Sequence, residues 1–270
     1  MTDLHGALEK SLGPIYRVER EVRPVGNCRL FVASQPPDME TLVVKVLPST
    51  LSLGVEDRVF ERELVLLSDR LKASPLVLTR GSGRAGTYVY HTRAFVPGTT
   101  LRNWIARQGG LPLRKVVDIA RDVLGALAPA HAAGVGHGDL KPENVLLAEH
   151  GTHVADTGVV AAVQRSLGAA APPNAALAAL CATAYVAPER REGSLVGVPG
   201  PAEDIFSLGV MLHEMLAGRP PAPESEPLEE LRSVPSWLGE LVRRCLSPRA
   251  DDRWKDAEDA MSVLPRQAQS

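Results

Sequence analysis

The stretch GHGDLKPENVLL, residues 136–147, sets an aspartate (Asp139) and an asparagine (Asn144) five positions apart with a lysine (Lys141) between them, ahead of an apolar run. Phosphoryl transfer asks little covalent chemistry of a protein. It asks that phosphates be positioned, a metal held and an acceptor hydroxyl oriented. Carboxylates, an amide oxygen and ammonium groups do those jobs, and the chain offers more of them in a plausible order: Lys45 in LVVKVL, Glu63 in FEREL and Asp156 in ADTG. Taken singly, each has a plainer reading. A lysine in a strand is usually a solvated edge residue, Glu63 lies among the alternating charges of a surface helix, and Asp-Thr-Gly makes a tight turn. HGDLKPEN is harder to obtain by accident, because five of its eight positions carry a group with a specific use.

These residues need elements to hold them. Residues 16–47 alternate in short apolar bursts (YRVEREV, RLFVAS, TLVVKVL) broken by GN and QPPD, which predicts antiparallel strands. Over 56–71 the apolar residues Val59, Phe60, Leu64, Leu67 and Leu71 recur at helical spacing. Two more strands are expected near PLVLTRG and TYVYHTRAF, with SGRAG as the turn between them. The period then changes. LRKVVDIARDVLGALAPAHAAG is a helix that Pro129 should kink in its last turns, and 201–217 is apolar nearly all round, as a buried helix is. LGELVRRCL and AEDAMSVL complete the set as helices. The architecture expected is a strand-rich lobe over 14–95 and a larger helical lobe over 96–265, joined at VPGTT (96–100), with 1–13 and 266–270 as short termini. A cleft between two lobes favours a ligand.

Bulk properties narrow the field. With 270 residues the chain can bury a real core, and its 44% hydrophobic and 23% charged residues suit a globular protein. A formal net charge of −2 carries no footprint for nucleic acid or anionic lipid. No apolar run reaches the roughly 20 residues that cross a bilayer, and MTDLHGALEK does not read as a signal peptide. Cys28, Cys181 and Cys245 are odd in number and far apart, which suits a reducing cytoplasm. His150 and His153 in EHGTH read as part of a polar turn between strands and not as metal ligands.

In its whole order the chain resembles the eukaryotic-like (Hanks-type) serine/threonine protein kinases of bacteria. That resemblance implies an α+β, bilobal fold with an antiparallel-sheet N-lobe and a mainly helical C-lobe. It implies ATP and Mg²⁺ (or Mn²⁺) as cofactors and a protein substrate with a Ser/Thr acceptor. Asp139 matches the residue that accepts a hydrogen bond from the substrate hydroxyl, and Lys141 the lysine that meets the γ-phosphate. Asn144 and Asp156 match the metal-binding pair. Lys45 matches the strand lysine on the α- and β-phosphates, and Glu63 its helix partner. Leu30, Val43 and Leu146 fall where the family sandwiches adenine. Ala187-Pro188-Glu189 matches the APE triplet, Arg253 its buried partner, and Asp204 the residue that anchors the catalytic loop.

The chain also departs from the pattern. Aligning YRVEREVRPVGNCRLF on G-x-G-x-x-G-x-V sets Arg23, Val25 and Cys28 where glycines belong and leaves only Gly26 as an ATP contact of that loop. Side chains there crowd the phosphates that a glycine backbone would approach. Arg93 takes the position behind the adenine and must reach water or a carboxylate. Thr157 replaces the Phe of DFG, which weakens the packing that links the Glu63 helix to the catalytic loop. Ala182 stands where the family's threonine reaches the catalytic aspartate. Gly138 replaces the arginine before Asp139, and the segment between Asp156 and Glu189 is rich in Ala and Pro and poor in hydroxyls. The expectation is slow Ser/Thr phosphoryl transfer that loop phosphorylation does not switch on, any regulatory input coming from a partner or through the N-lobe surface. Two rival readings are a pseudokinase acting as a binding or scaffolding module, and a small-molecule kinase of the HGD type.

Overall fold

The structure is a computed structural model that describes residues 3–25, 27–35, 40–71, 75–168, 171–172, 174–192, 197–222 and 234–265. Gly26 lies outside them, and the side chains of Arg23 and Val25 are likewise not described.

Five strands form the first sheet: β1 (Arg17–Val25), β2 (Cys28–Gln35), β3 (Glu40–Val46), β4 (Thr79–Ala85) and β5 (Tyr88–Ala94), in the order β1-β2-β3-β5-β4 and antiparallel throughout. The β4–β5 turn sits at 86–87, later than the SGRAG expected. Gly81 to Ala85 pair with β5 and so belong to the strand. Strand side chains alternate with period two, so register decides what shares a face. Leu30 pairs with Lys45 and Lys45 with His91, while Val32 pairs with Val43 and Val43 with Arg93. One face of the sheet therefore carries Lys45, Val43, His91 and Arg93 together.

The opposite face holds Phe31, Ala33, Val44, Val46 and Tyr90 in a separate apolar cluster. Leu4 and Leu8 complete it from helix α1 (Leu4–Leu12), so residues read from the sequence as a short terminus cover this side of the sheet. Burying such a side chain contributes roughly 1.5–3 kcal/mol.

Helices α2 (Ser49–Ser52) and α3 (Asp57–Arg70) follow β3, and α3 buries Phe60, Leu64 and Leu67 at the expected spacing. Past β5, a short strand β6 (Thr99–Thr100) leads into α4 (Leu101–Gln108) and α5 (Leu113–Ala132). Helix α5 continues through Pro129 and buries a face running from Val116 to His131. Strand β7 (Val145–Ala148) pairs with β6 on one side and with β8 (Gly151–Val154) on the other in a three-stranded sheet, and His150 lies in the β7–β8 turn. Helices α6 (Val159–Ser166), α7 (Ala175–Leu180) and α8 (Pro188–Arg191) lie between β8 and α9 (Pro201–Ala217). Every residue of α9 from Glu203 to Leu216 is buried, as its nearly all-apolar sequence leads one to expect. Helices α10 (Ser236–Cys245) and α11 (Ala257–Met261) pack against it. No helix among the described residues is long and apolar enough to cross a membrane.

Candidate active site

The loop 137–144 runs between α5 and β7, and its shape is set from beneath. Asp204 of α9, almost wholly buried, accepts from the backbone N–H of His137 (2.5 Å) and of Gly138 (2.9 Å), and it meets His131 Nε2 at 3.0 Å. His137 Nε2 lies 2.9 Å from the carbonyl of Ala155, which ties the loop to the end of β8. Gly138 has φ +82°, and a Cβ added there would stand 3.0 Å from Pro199 Cγ. A side chain at 138 is therefore disfavoured by both backbone and space.

On this base stands the carboxylate of Asp139. Its oxygens accept from Lys141 Nζ at 2.8 and 2.7 Å, and Asn144 Nδ2 donates to its Oδ2 (3.1 Å) and its backbone carbonyl (2.7 Å). Asp139, Lys141 and Asn144 thus form one hydrogen-bonded unit, buried to within 8% exposure.

Asp156 follows β8 at φ +67°, an uncommon conformation for a residue other than glycine. Its Oδ2 accepts from Lys45 Nζ at 2.7 Å, and its Oδ1 faces Arg93 Nε at 3.3 Å. The carboxylate that Arg93 must reach is this one. Burial works against all these charges, but the two cations outweigh it and hold the Asp156 carboxyl far below its ordinary range, while Asp156 keeps Lys45 firmly protonated. Burial also pushes the neighbouring His91 down to about 4, with Lys45 and Arg93 adding to the effect, so its ring is neutral. Neither nitrogen of His91 has a hydrogen-bond partner among the described residues, and the same holds for Thr157 Oγ1.

The resemblance pairs Lys45 with Glu63, and the structure does not. Glu63 meets Arg165 of α6 at 3.2 Å and Arg62 at 3.5 Å. The cause is packing: α6 lies against α3, and the close fit at Gly158, where a Cβ would come 2.9 Å from Leu67 Cδ2, seats the two helices together. Glu63 is turned to α6 and Lys45 to Asp156.

Two spaces result. A cavity of about 510 Å³ is lined by Val22, Leu30, Val43, Phe95 and Leu146, with Arg93 among its polar groups. Leu30, Val43 and Leu146 are brought together there, and Val22 and Phe95 join them unforeseen; the pairing of Val22 with Leu30 in the sheet could have signalled the first. The second space, between Lys45, His91, Asp139 and Asp156, is about 10 Å³ and is closed by Val159, Val160 and Leu180. Lys141 Nζ donates to the Leu180 carbonyl (3.1 Å), and Asn27 Nδ2 to that of Ala179 (2.9 Å), so α7 is held over the floor from both sides.

The residues expected to hold a divalent cation do not fit one in this arrangement. Asn144 could lend its amide oxygen, but each oxygen of Asp156 already faces a cation. Among the described residues no group of three or more His, Cys, Asp or Glu is gathered to hold a metal. The thiols of Cys28, Cys181 and Cys245 are unbridged.

Farther along the chain, Glu189 accepts from Arg253 at 2.8 and 2.7 Å. Arg102 joins Glu143 (2.8 Å), Glu214 and Tyr185 in a network the sequence did not signal, because its members come from four separate elements and loops.

Residues 26–264 match the family model described as a protein kinase domain. The chain is 33% identical over 205 residues to the serine/threonine-protein kinase PknL of Mycobacterium tuberculosis, a match over 70% of this chain and 49% of that protein. It is 30% identical over 257 residues to the probable serine/threonine-protein kinase PkwA of Thermomonospora curvata, over 92% of this chain and 33% of that one. The chain therefore spans half or less of the length of these curated relatives. Among solved structures it resembles the PknI kinase domain of M. tuberculosis (TM-score 0.70, 22% identity, 94% and 97% of the two chains). It also resembles Rad53 1–466 in complex with AMP-PNP (TM-score 0.71, 20% identity, 96% and 67%). At these identities the structural likeness speaks for the fold.

Proposed function

The chain belongs to the protein kinase domain family, and from that premise we propose that it transfers the γ-phosphoryl group of ATP to serine and threonine hydroxyls of protein substrates. The observation that carries this reading is the Asp139 unit: a buried carboxylate anchored from below through Asp204 and flanked by Lys141 and Asn144. Such a carboxylate can accept a hydrogen bond from an acceptor hydroxyl and take its proton, while Lys141 faces the transferring phosphoryl group. The adenine enters the apolar cavity between Leu30, Val43 and Leu146, and the phosphates extend towards Lys45.

Magnesium or manganese, expected with ATP from the resemblance, enters no step of this reading, because Asp156 is already paired with Lys45 and Arg93. Slow turnover is supported by Leu180, which covers the floor and must withdraw before phosphates reach it. Indifference to loop phosphorylation is supported by the backbone at Gly138, where an arginine would be strained.

Transfer from γ-labelled ATP to a Ser/Thr-rich acceptor such as casein tests the reading against Asp139→Asn. Loss of a general base lowers the rate by about 10²–10⁴. Equal transfer by wild type and variant would overturn the assignment. The closed floor favours a second reading, a nucleotide-binding scaffold, for which ATP would bind with no transfer at all.

A further inference from the structure

Arg93 connects the two spaces of the cleft: it lines the nucleotide cavity, and its Nε stands 3.3 Å from Asp156 Oδ1. Its position follows from strand register, since residue 93 pairs with Val43 and lies two residues from His91, the partner of Lys45. The side chain is 8% exposed, and besides Asp156 it reaches the Ala94 carbonyl through Nη1 at 3.3 Å. The contact of Nε with Asp156 is an ion pair without hydrogen-bond alignment. Arg93 is therefore held beside Asp156 by charge and by its place on the sheet.

Counting the floor, Lys45, Arg93 and Lys141 stand against Asp139 and Asp156, which leaves one net positive charge. Without Arg93 the same set is neutral. A triphosphate entering a neutral, buried floor must bring its own cation; one entering this floor meets a cation built into the protein. A divalent ion that sought Asp156 would also have to displace a guanidinium, which cannot lose its charge.

We infer that Arg93 is the resident counter-cation of this cleft: it occupies the electrostatic place of a divalent metal at Asp156, so that the protein binds nucleoside triphosphate without one. The inference rests on the reading of the cleft as an ATP site.

The test is a titration of the whole chain with a fluorescent ATP analogue (mant-ATP), in chelator and in millimolar Mg²⁺, for wild type, Arg93→Met and Arg93→Lys. Wild type should bind with the same affinity in both buffers. Arg93→Met should bind poorly in chelator and gain about tenfold in affinity with Mg²⁺. Arg93→Lys, which keeps the charge and guards against a misfolded Met variant, should remain indifferent to metal. A gain of about tenfold with Mg²⁺ by wild type would overturn the inference and leave the ATP site standing. An Arg93→Met protein as indifferent to metal as wild type, or a metal-dependent Arg93→Lys protein, would overturn it too. No binding by wild type in either buffer would overturn both the inference and the ATP site.

Discussion

Glu63 of α3 meets Arg165 of α6 at 3.2 Å, while Lys45 meets Asp156 at 2.7 Å. This contact draws the acidic partner expected for Lys45 to α6 and leaves the lysine to Asp156. Arg165 is 44% exposed, so the pair itself contributes no more than about 1 kcal/mol. Arg165→Ala should therefore raise phosphoryl transfer by up to about fivefold, the rate equivalent of that energy, while barely moving the denaturation midpoint. Initial rates with labelled ATP check it; a rate that falls would show that the contact does not restrain Glu63.

Asp204 satisfies two backbone N–H groups and one imidazole at once, the His137 and His131 contacts buried and the Gly138 contact partly so. Asp204→Ala strands these donors without water. The expected loss is about 3 kcal/mol of folding stability, read from urea denaturation, together with loss of transfer because the loop that carries Asp139 is no longer held. A variant as stable as wild type would mean that the loop has another anchor.

Gly138→Arg restores the residue type that the family pattern has before the catalytic aspartate. At φ +82°, with Pro199 Cγ 3.0 Å from the new Cβ, it should destabilise by about 1–3 kcal/mol. Thermal melting measures this. Unchanged or increased stability would show that the loop reshapes freely.

The Glu189–Arg253 pair sets an acid limit on stability. Burial alone would raise the Glu189 carboxyl, but its hydrogen bonds with Arg253 outweigh that and hold it below its ordinary 4.5. A carboxyl lowered in the fold stabilises fully above its unfolded value, and that contribution is lost as pH falls through 4.5 towards the lower folded value. Glu189→Gln leaves Arg253, whose side chain is fully buried, without its counter-charge. It should cost about 3–5 kcal/mol at neutral pH and flatten the decline below pH 4.5. Denaturation profiles of the two proteins across that range decide; parallel acid-side slopes would exclude Glu189 as the titrating group.

Much of this was legible in the chain itself. Short apolar bursts between turn residues mark β1 to β3, the 3.6 period marks α3 and α5, and the nearly all-apolar sequence of α9 announces burial, because each reports which parts of a local element leave water. GHGDLKPEN is contiguous, so the unit of Asp139, Lys141 and Asn144 could be read from spacing alone. Lys45 and Asp156 are 111 residues apart, and both carboxylates open to the lysine lay in the sequence. The choice between them was made by packing: α6 against α3 draws Glu63 to Arg165, and strand register brings Arg93 to Asp156. The sequence determined which groups the cleft would contain. Only the tertiary structure decided which charges meet, because a buried charge takes whichever partner the surrounding helices and strands bring within reach.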